Sequence, residues 1–128
     1  MDVCSLLTPA ELNAATGTDD YAAGTLDSVG QCLWNTEGTV NNQGSLIVGY
    51  INPDVTLDFI KSTFGTGGVD ATVNGHAAFY NPTQGLGSMW VDVGGGRVFV
   101  LSFPRSSDLN PSYTQIAQQL AEIAVGRI

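Results

Sequence analysis

The stretch that decides the fold is Ser88-Met89-Trp90-Val91-Asp92-Val93-Gly94-Gly95-Gly96-Arg97-Val98-Phe99-Val100-Leu101-Ser102-Phe103. Two runs with strand-like composition, 88–93 and 97–103, flank three glycines. Because glycine adopts the positive φ angles that tight hairpin turns require, the two runs are predicted to pair as an antiparallel hairpin. Side-chain alternation gives each run one apolar face. The two sets are Met89, Val91 and Val93, and Phe99, Leu101 and Phe103.

Three more segments outside this hairpin have the composition of strands. Residues 31–37 and 44–51 flank residues 38–43, which have turn chemistry, so these segments predict a second hairpin. Residues 71–80 predict a further extended segment, interrupted at Asn74-Gly75. Because hairpins make neighbouring strands antiparallel, the segments together predict one antiparallel sheet of about five strands.

A helix near the start of the chain carries several terminal signals. Thr8 is a suitable N-cap, Pro9 occupies the first helical position, and Glu11 completes a capping box. We expect this helix to run to about residue 16 and to stop at Gly17.

Two further helices are predicted from their apolar faces. One covers residues 55–64 with Asp54 as its cap, and its apolar face consists of Val55, Phe59, Ile60 and Phe64. The other begins with Asn110 as cap and Pro111 at the first position, and ends at Gly126. Its apolar stripe consists of Tyr113, Ile116, Ala117, Leu120, Ile123 and Ala124.

The order of these elements predicts the fold class. It is α+β, with two layers: an antiparallel sheet of about five strands and helices packed on one face. The length of 128 residues suits a single domain over residues 1–128. Residues 18–30, rich in Asp, Gly, Ser and Thr, are predicted to be a polar connector.

The charge balance excludes one class of partner. Twelve acidic and four basic residues give a formal net charge of −8, which opposes binding to nucleic acid or to anionic lipid headgroups. The low content of charged residues and the abundance of Gly, Ser, Thr, Asn and Gln fit an extracytoplasmic protein.

Cys4 and Cys32 are the only cysteines. In an oxidising compartment they are expected to pair, whereas in the cytosol they would suggest a metal or redox role. Their spacing matches neither a CxxC motif nor a zinc knuckle, so pairing is favoured. Closing this loop contributes roughly 3–4 kcal/mol in the chain-entropy description.

Candidate binding residues lie on the strand at 88–93. Alternation places Trp90 with Ser88 and Asp92, opposite the apolar set that begins at Met89. If the helices cover the apolar set, Trp90 stands on the open side of the sheet, where an exposed tryptophan is a plausible contact for a ligand or partner. The alternative is that a loop, or residues 18–30, fold over Trp90.

The sequence does not assign catalytic, metal or cofactor residues. His76 is the only histidine and lies beside an Asn-Gly turn, where a solvated side chain is the ordinary outcome. A zinc site needs further His or Cys ligands. No G-x-S-x-G elbow is present, and the glycine-rich segments 65–68 and 94–96 match no phosphate-binding motif.

The opening run Asp2-Val3-Cys4-Ser5-Leu6-Leu7-Thr8-Pro9-Ala10-Glu11-Leu12 and the later Cys32-Leu33-Trp34 resemble the actinobacterial lipoproteins called domain of unknown function 3558. That family opens with a D-P-C-x-L-L-T-x-x-E-like run and has a C-x-W strand. Residues 73–79 and 113–128 resemble its middle segment and closing helix. The resemblance implies a Cys4–Cys32 disulfide, and a precursor with a signal peptide and a lipidated cysteine upstream of Asp2.

These observations lead to a first hypothesis and two alternatives. The first is a non-enzymatic extracytoplasmic binding or interaction domain of a cell-envelope lipoprotein, whose partner is an unknown small molecule or envelope protein. It meets the membrane only through a lipid anchor that this chain lacks. The alternatives are a small envelope hydrolase and a structural or sensor-like module. His76 within reach of an acid and a Ser or Thr in a cleft would favour the hydrolase, whereas an apolar groove with Trp90 exposed would favour binding.

Overall fold

The computed structural model describes residues 2–17, 19–36, 46–82, 87–105 and 113–128. Within these ranges the chain forms a short 3-10 helix, three α-helices and seven strands. The helices are the 3-10 helix Val3–Leu6, α1 (Pro9–Thr16), α2 (Leu57–Phe64) and α3 (Tyr113–Val125). The strands are β1 (Thr25–Leu26), β2 (Cys32–Asn35), β3 (Leu46–Pro53), β4 (Val69–Val73), β5 (His76–Asn81), β6 (Ser88–Gly94) and β7 (Arg97–Arg105). Every neighbouring pair is antiparallel, in the order β1-β2-β3-β7-β6-β5-β4, so the α+β class is confirmed.

The described sheet has seven strands where about five were predicted. Residues 71–80 are not one interrupted strand, because Asn74 and Gly75 both have positive φ angles, 51° and 81°, and join β4 to β5 in a tight hairpin. The other additional strand, β1, lies inside the predicted polar connector and pairs with β2. Both of its side chains are exposed, so no apolar alternation marks it in the sequence.

Helices cover both faces of the sheet, so the prediction of helices on one face is wrong. We call the two sides the α3 face and the α2 face. On the α3 face, α3 and the 3-10 helix lie on the strands, and α1 packs against α3. On the α2 face, α2 lies over β5 and β6. The apolar run 98–101, buried throughout, is typical of a strand covered on both sides.

The predicted start of α1 is confirmed in detail. The Thr8 hydroxyl accepts a hydrogen bond from the Glu11 backbone N–H at 3.2 Å, and the Thr8 backbone N–H donates to the Glu11 carboxylate at 2.9 Å. This reciprocal pair satisfies two N–H groups at the helix start that have no partner within the helix. The helix ends at Thr16, where Gly17 takes the left-handed conformation with φ 74°.

The start and the buried side of α2 differ from the prediction. Thr56, not Asp54, is the N-cap, and its hydroxyl accepts from the Phe59 backbone N–H at 3.1 Å. Because the helix begins at Leu57, that residue and Ile60 face the sheet, whereas Phe59 is 56% exposed. The end at Phe64, followed by Gly65, is confirmed.

The closing helix and the disulfide both support the α3 face. Four members of the predicted α3 stripe are buried: Ile116, Ala117, Leu120 and Ala124. The predicted caps Asn110 and Pro111 lie outside the described residues, as does the turn at 38–43.

Cys4 and Cys32 form a disulfide with their Cα atoms 5.2 Å apart, which ties the 3-10 helix to β2. None of the described helices has the length and apolar character needed to cross a bilayer.

Candidate functional site

Trp90 is part of the core, so the prediction that it stands exposed is wrong. Its side chain is only 6% exposed and belongs to a buried cluster on the α2 face. Phe64 stacks on the indole with ring centroids 5.9 Å apart, and Phe79 lies at 6.1 Å in a tilted arrangement. The cover is the helix α2, which is neither the predicted alternative of residues 18–30 nor a loop.

A buried side-chain amide holds the end of α2 in place over Trp90. Asn81 is fully buried in β5, and its side-chain N–H groups donate to the backbone carbonyls of Phe64 and Thr66, the latter at 3.1 Å. These carbonyls belong to the end of α2 and the segment that follows it. The bonds therefore hold the end of α2 on the sheet beside Trp90.

Ser88 and Asp92 share the Trp90 face of β6 but do not form an open pocket with Trp90. Ser88 is buried, at 5% exposure. Asp92 is exposed, and its carboxylate accepts from the Gly94 backbone N–H at 2.9 Å. Asp92 thus supports the turn of the β6–β7 hairpin, and a ligand contact by these three residues stays a prediction.

A cleft opens instead at the other face of the sheet, where three neighbouring strands end. His76 begins β5, Val93 lies near the end of β6, and Arg97 begins β7. Ala78 pairs with Val91, and continuing this register places His76 beside Val93. Arg97 pairs with Gly94 across the glycine turn. The strand ends therefore set Arg97, Val93 and His76 in one row across the sheet.

The row forms one wall of a cleft of about 90 Å³. The opposite wall comes from the end of α3, through Val125 and Ile128. We call this the Arg97 cleft, defined by His76, Val93, Arg97, Val125 and Ile128. His76 and Arg97 are exposed, whereas Val93 and Ile128 are half-buried, so most of the surface that the cleft presents to solvent is polar.

An ion pair between Arg127 and α1 holds the α3 wall of the cleft in place. The guanidinium of Arg127 donates to both carboxylate oxygens of Glu11, each at 2.6 Å, and also to the Leu6 carbonyl at 2.9 Å. This two-point geometry orients a guanidinium more strictly than a single contact does. Because Arg127 immediately precedes Ile128, the pair with α1 positions the residue that lines the cleft.

The same pair changes the acidity of Glu11. Hydrogen bonds from Arg127 and from Thr8 lower the pKa of the Glu11 carboxyl from 4.5 to about 2, although burial acts in the opposite direction. The carboxylate is therefore ionised throughout the neutral and mildly acidic range, and the α1–α3 connection persists there.

Arg97 differs from the other cations whose side chains the structure describes. Lys61 pairs with Asp70 at 2.8 Å, and Arg127 pairs with Glu11. Among the described residues, no carboxylate lies within ion-pair distance of Arg97, whose guanidinium Nε donates only to the Gly94 carbonyl at 3.3 Å. Arg97 is thus, among the cationic side chains that the structure describes, the one without a carboxylate partner, and it lines the cleft.

Among the described residues, His76 is the one lining side chain of a type that hydrolytic sites use. A hydrolytic site built on His76 needs a hydroxyl nucleophile and a carboxylate to orient the imidazole. The five lining residues include neither. Across the described ranges, no group of three or more His, Cys, Asp or Glu side chains is arranged to hold a metal ion.

The sequence pattern predicts a solvated His76 beside a turn and indicates no role for Arg97. The strand register does indicate where Arg97 lies, because a tight hairpin across residues 94–96 puts Arg97 near the apolar face that ends at Val93. The contribution of α3 was not available from that pattern, since Val125 and Ile128 reach the cleft only through tertiary packing. No family model, curated protein or solved structure matches this chain.

Proposed function

We propose that this chain is an extracytoplasmic binding domain of a cell-envelope lipoprotein, and that it holds its ligand, chemically unchanged, in the Arg97 cleft. The observation that carries the proposal is an arginine without a carboxylate partner among the described residues, at the rim of a small cleft in an acidic domain. Small-molecule sites usually have volumes of roughly 300–1,000 Å³, so a cleft of about 90 Å³ would hold a very small ligand or one end of a larger one.

The compartment in the proposal is supported by the disulfide and by the resemblance of the opening motif. Disulfides persist in oxidising compartments and are rare in the cytosol, and Cys32, one half of the Cys4–Cys32 bridge, is fully buried in the core. The resemblance to domain of unknown function 3558 adds the lipid anchor, which belongs to the precursor.

The test is native mass spectrometry of the oxidised protein after incubation with an actinobacterial cell-envelope extract. The protein is compared with Arg97→Gln and with Lys61→Gln. Both variants lose one positive charge, but Lys61 lies on the α2 side of the sheet, where it pairs with Asp70. We expect a retained adduct of defined mass on the parent protein and on Lys61→Gln, and its loss from Arg97→Gln.

Three outcomes contradict the proposal in different ways. Bare monomer in every sample argues against a binding domain. An adduct that survives Arg97→Gln places the site elsewhere. Turnover of a panel of simple esters that disappears in His76→Ala supports the envelope hydrolase instead.

A further inference from the structure

We infer that Gln118 blocks the outer edge of β4, where a second copy of this chain would otherwise add its own β4 to the sheet. The described sheet has two outer strands, β1 and β4. Because β1 has two residues and β4 has five, β4 offers the longer row of backbone groups to another strand. Exposed edges of this kind pair readily with other chains, and proteins usually protect them. This role of Gln118 does not depend on the Arg97 cleft.

The register of the β4–β5 hairpin shows which backbone groups face outward. Val73 pairs with His76 across the two-residue turn, and the pairing continues without a bulge to Val69. In such a hairpin the pair beside the turn exchanges hydrogen bonds, and bonded pairs then alternate with non-bonded pairs along the strands. The backbone groups of Asp70 and Thr72 therefore point away from β5, toward the open side of β4.

Gln118 bonds to one of these outward groups. Its side-chain Nε2 donates to the Thr72 carbonyl at 2.8 Å and to the Glu122 carboxylate at 2.9 Å, which uses both protons of the amide. The Glu122 backbone carbonyl accepts from the Asn74 side chain at 2.8 Å, so this part of α3 is also tied to the β4–β5 turn. The Thr72 carbonyl thus already has a partner at the position where an added strand would bond.

A second copy of the chain matches the backbone groups of this edge by symmetry. In an antiparallel arrangement about a two-fold axis at Ala71, Asp70 of each copy lies opposite Thr72 of the other, and both residues have outward backbone groups. The charge of Asp70 does not oppose this pairing, since its carboxylate is paired with Lys61 at 2.8 Å. The two edges are therefore complementary, except that Gln118 occupies the Thr72 carbonyl in both copies.

Sedimentation equilibrium of the oxidised 128-residue protein tests the inference, in about 0.3 M sodium chloride to screen the repulsion between two acidic chains. Gln118→Ala and Gln118→Ser both remove the bond to Thr72, and serine keeps the position polar. Gln119→Ala is the matched control, because Gln119 is the next residue of α3 and is exposed. A double variant, Gln118→Ala with Thr72→Pro, also removes the outward Thr72 N–H, a change that edge strands tolerate.

We expect Gln118→Ala and Gln118→Ser to dimerise at concentrations at least about tenfold lower than the parent protein, because each dimer gains two backbone hydrogen bonds. Gln119→Ala should sediment as the parent does, and Thr72→Pro should return Gln118→Ala to the behaviour of the parent. In Gln118→Ala, amide exchange at Asp70 and Thr72 should slow as the protein concentration rises, which locates the contact at the edge of β4.

Each part of the inference can be overturned. If Gln118→Ala and Gln118→Ser sediment as the parent does, Gln118 does not block association. Equal association of Gln119→Ala would indicate a general effect of lost polarity on α3. Association that persists in the double variant, without slower exchange at Asp70 and Thr72, places the contact away from β4. A parent protein that already dimerises through these two amides contradicts the blocking role.

Discussion

The two faces of the sheet are built from unequal amounts of material. The α3 face is covered by two helices and the 3-10 helix, carries the disulfide and contains the larger buried cluster, with Trp34 and Leu120 fully enclosed. The α2 face is covered by one helix of eight residues, whose buried Leu57 and Ile60 lie over four buried side chains of the sheet. We therefore expect the α3 face to contribute most of the stability of the domain. The α2 face mainly determines whether Trp90 is exposed.

The largest expected change in stability comes from removing the disulfide, which lies on the α3 face. Replacing Cys4 and Cys32 together by alanine should lower the free energy of unfolding by about 3.5 kcal/mol, because it releases a loop closed across 28 residues. Urea denaturation of the oxidised parent and of the double variant measures the loss. A change below about 1 kcal/mol would show that the α3 face does not depend on its covalent tie.

A direct comparison uses one truncation on each face. Leu120→Ala should cost about 3 kcal/mol, and Ile60→Ala about 2 kcal/mol, because each opens a cavity that its surroundings only partly fill. Leu120 is fully buried and Ile60 is 4% exposed.

Hydrogen exchange distinguishes the consequences of these two substitutions. Ile60→Ala should accelerate exchange mainly in α2 and leave the amides of β7 protected, since α2 opens as a local unit. Uniform acceleration over the whole sheet in Ile60→Ala would indicate that the two faces are a single cooperative unit.

The Glu11–Arg127 pair predicts an acid-sensitive component of stability on the α3 face. Because folding lowers the pKa of the Glu11 carboxyl from 4.5 to about 2, the contribution is complete above pH 4.5 and is lost as the pH falls toward 2. After allowance for partial solvent screening, it should be about 1–2 kcal/mol.

Urea unfolding of the parent protein and of Glu11→Gln, at pH 6 and at pH 2.5, checks this contribution. The variant should be less stable at pH 6, and the difference should shrink at pH 2.5. Arg127→Gln serves as the control, and combining it with Glu11→Gln should cost less than the sum of the two single changes. A constant difference between the two pH values would contradict the assignment.

The smallest expected effect tests the orientation of α2. Phe59→Gln should change the free energy of unfolding by no more than about 0.5 kcal/mol, because the ring lies mostly in solvent. Thermal unfolding measures it, with Ile60→Ala as the buried comparison. A loss above about 1.5 kcal/mol would mean that Phe59, as the sequence pattern predicted, faces the sheet.

Much of the fold was predictable because its signals are local. The capping box at Thr8, the glycine turn at 94–96 and the alternation on β6 and β7 each depend on residues within a few positions of one another. The β4–β5 hairpin differs from the predicted single extended segment, although Asn74-Gly75 is a strong turn signal.

The candidate site was less predictable, because it joins residues far apart in the sequence. His76 and Arg97 come from strands that meet through β6, and the α3 wall is held by Arg127 bonding to Glu11, 116 residues away. The position of α2 reversed the expectation for Trp90. Alternation identifies which residues share a face, but it does not say which faces are covered.

The sequence by itself determined the class of the fold, the first helix, the central hairpin and the cysteine pair, since turn chemistry, capping and periodicity act over short distances. Tertiary structure alone decided which sides of the sheet are covered and where a cleft opens. Gly24 illustrates the reason: it lies in the predicted polar connector, yet a Cβ there would come within 2.6 Å of Trp34 Nε1. Such close packing depends on atoms that the chain brings together only after the sheet has formed.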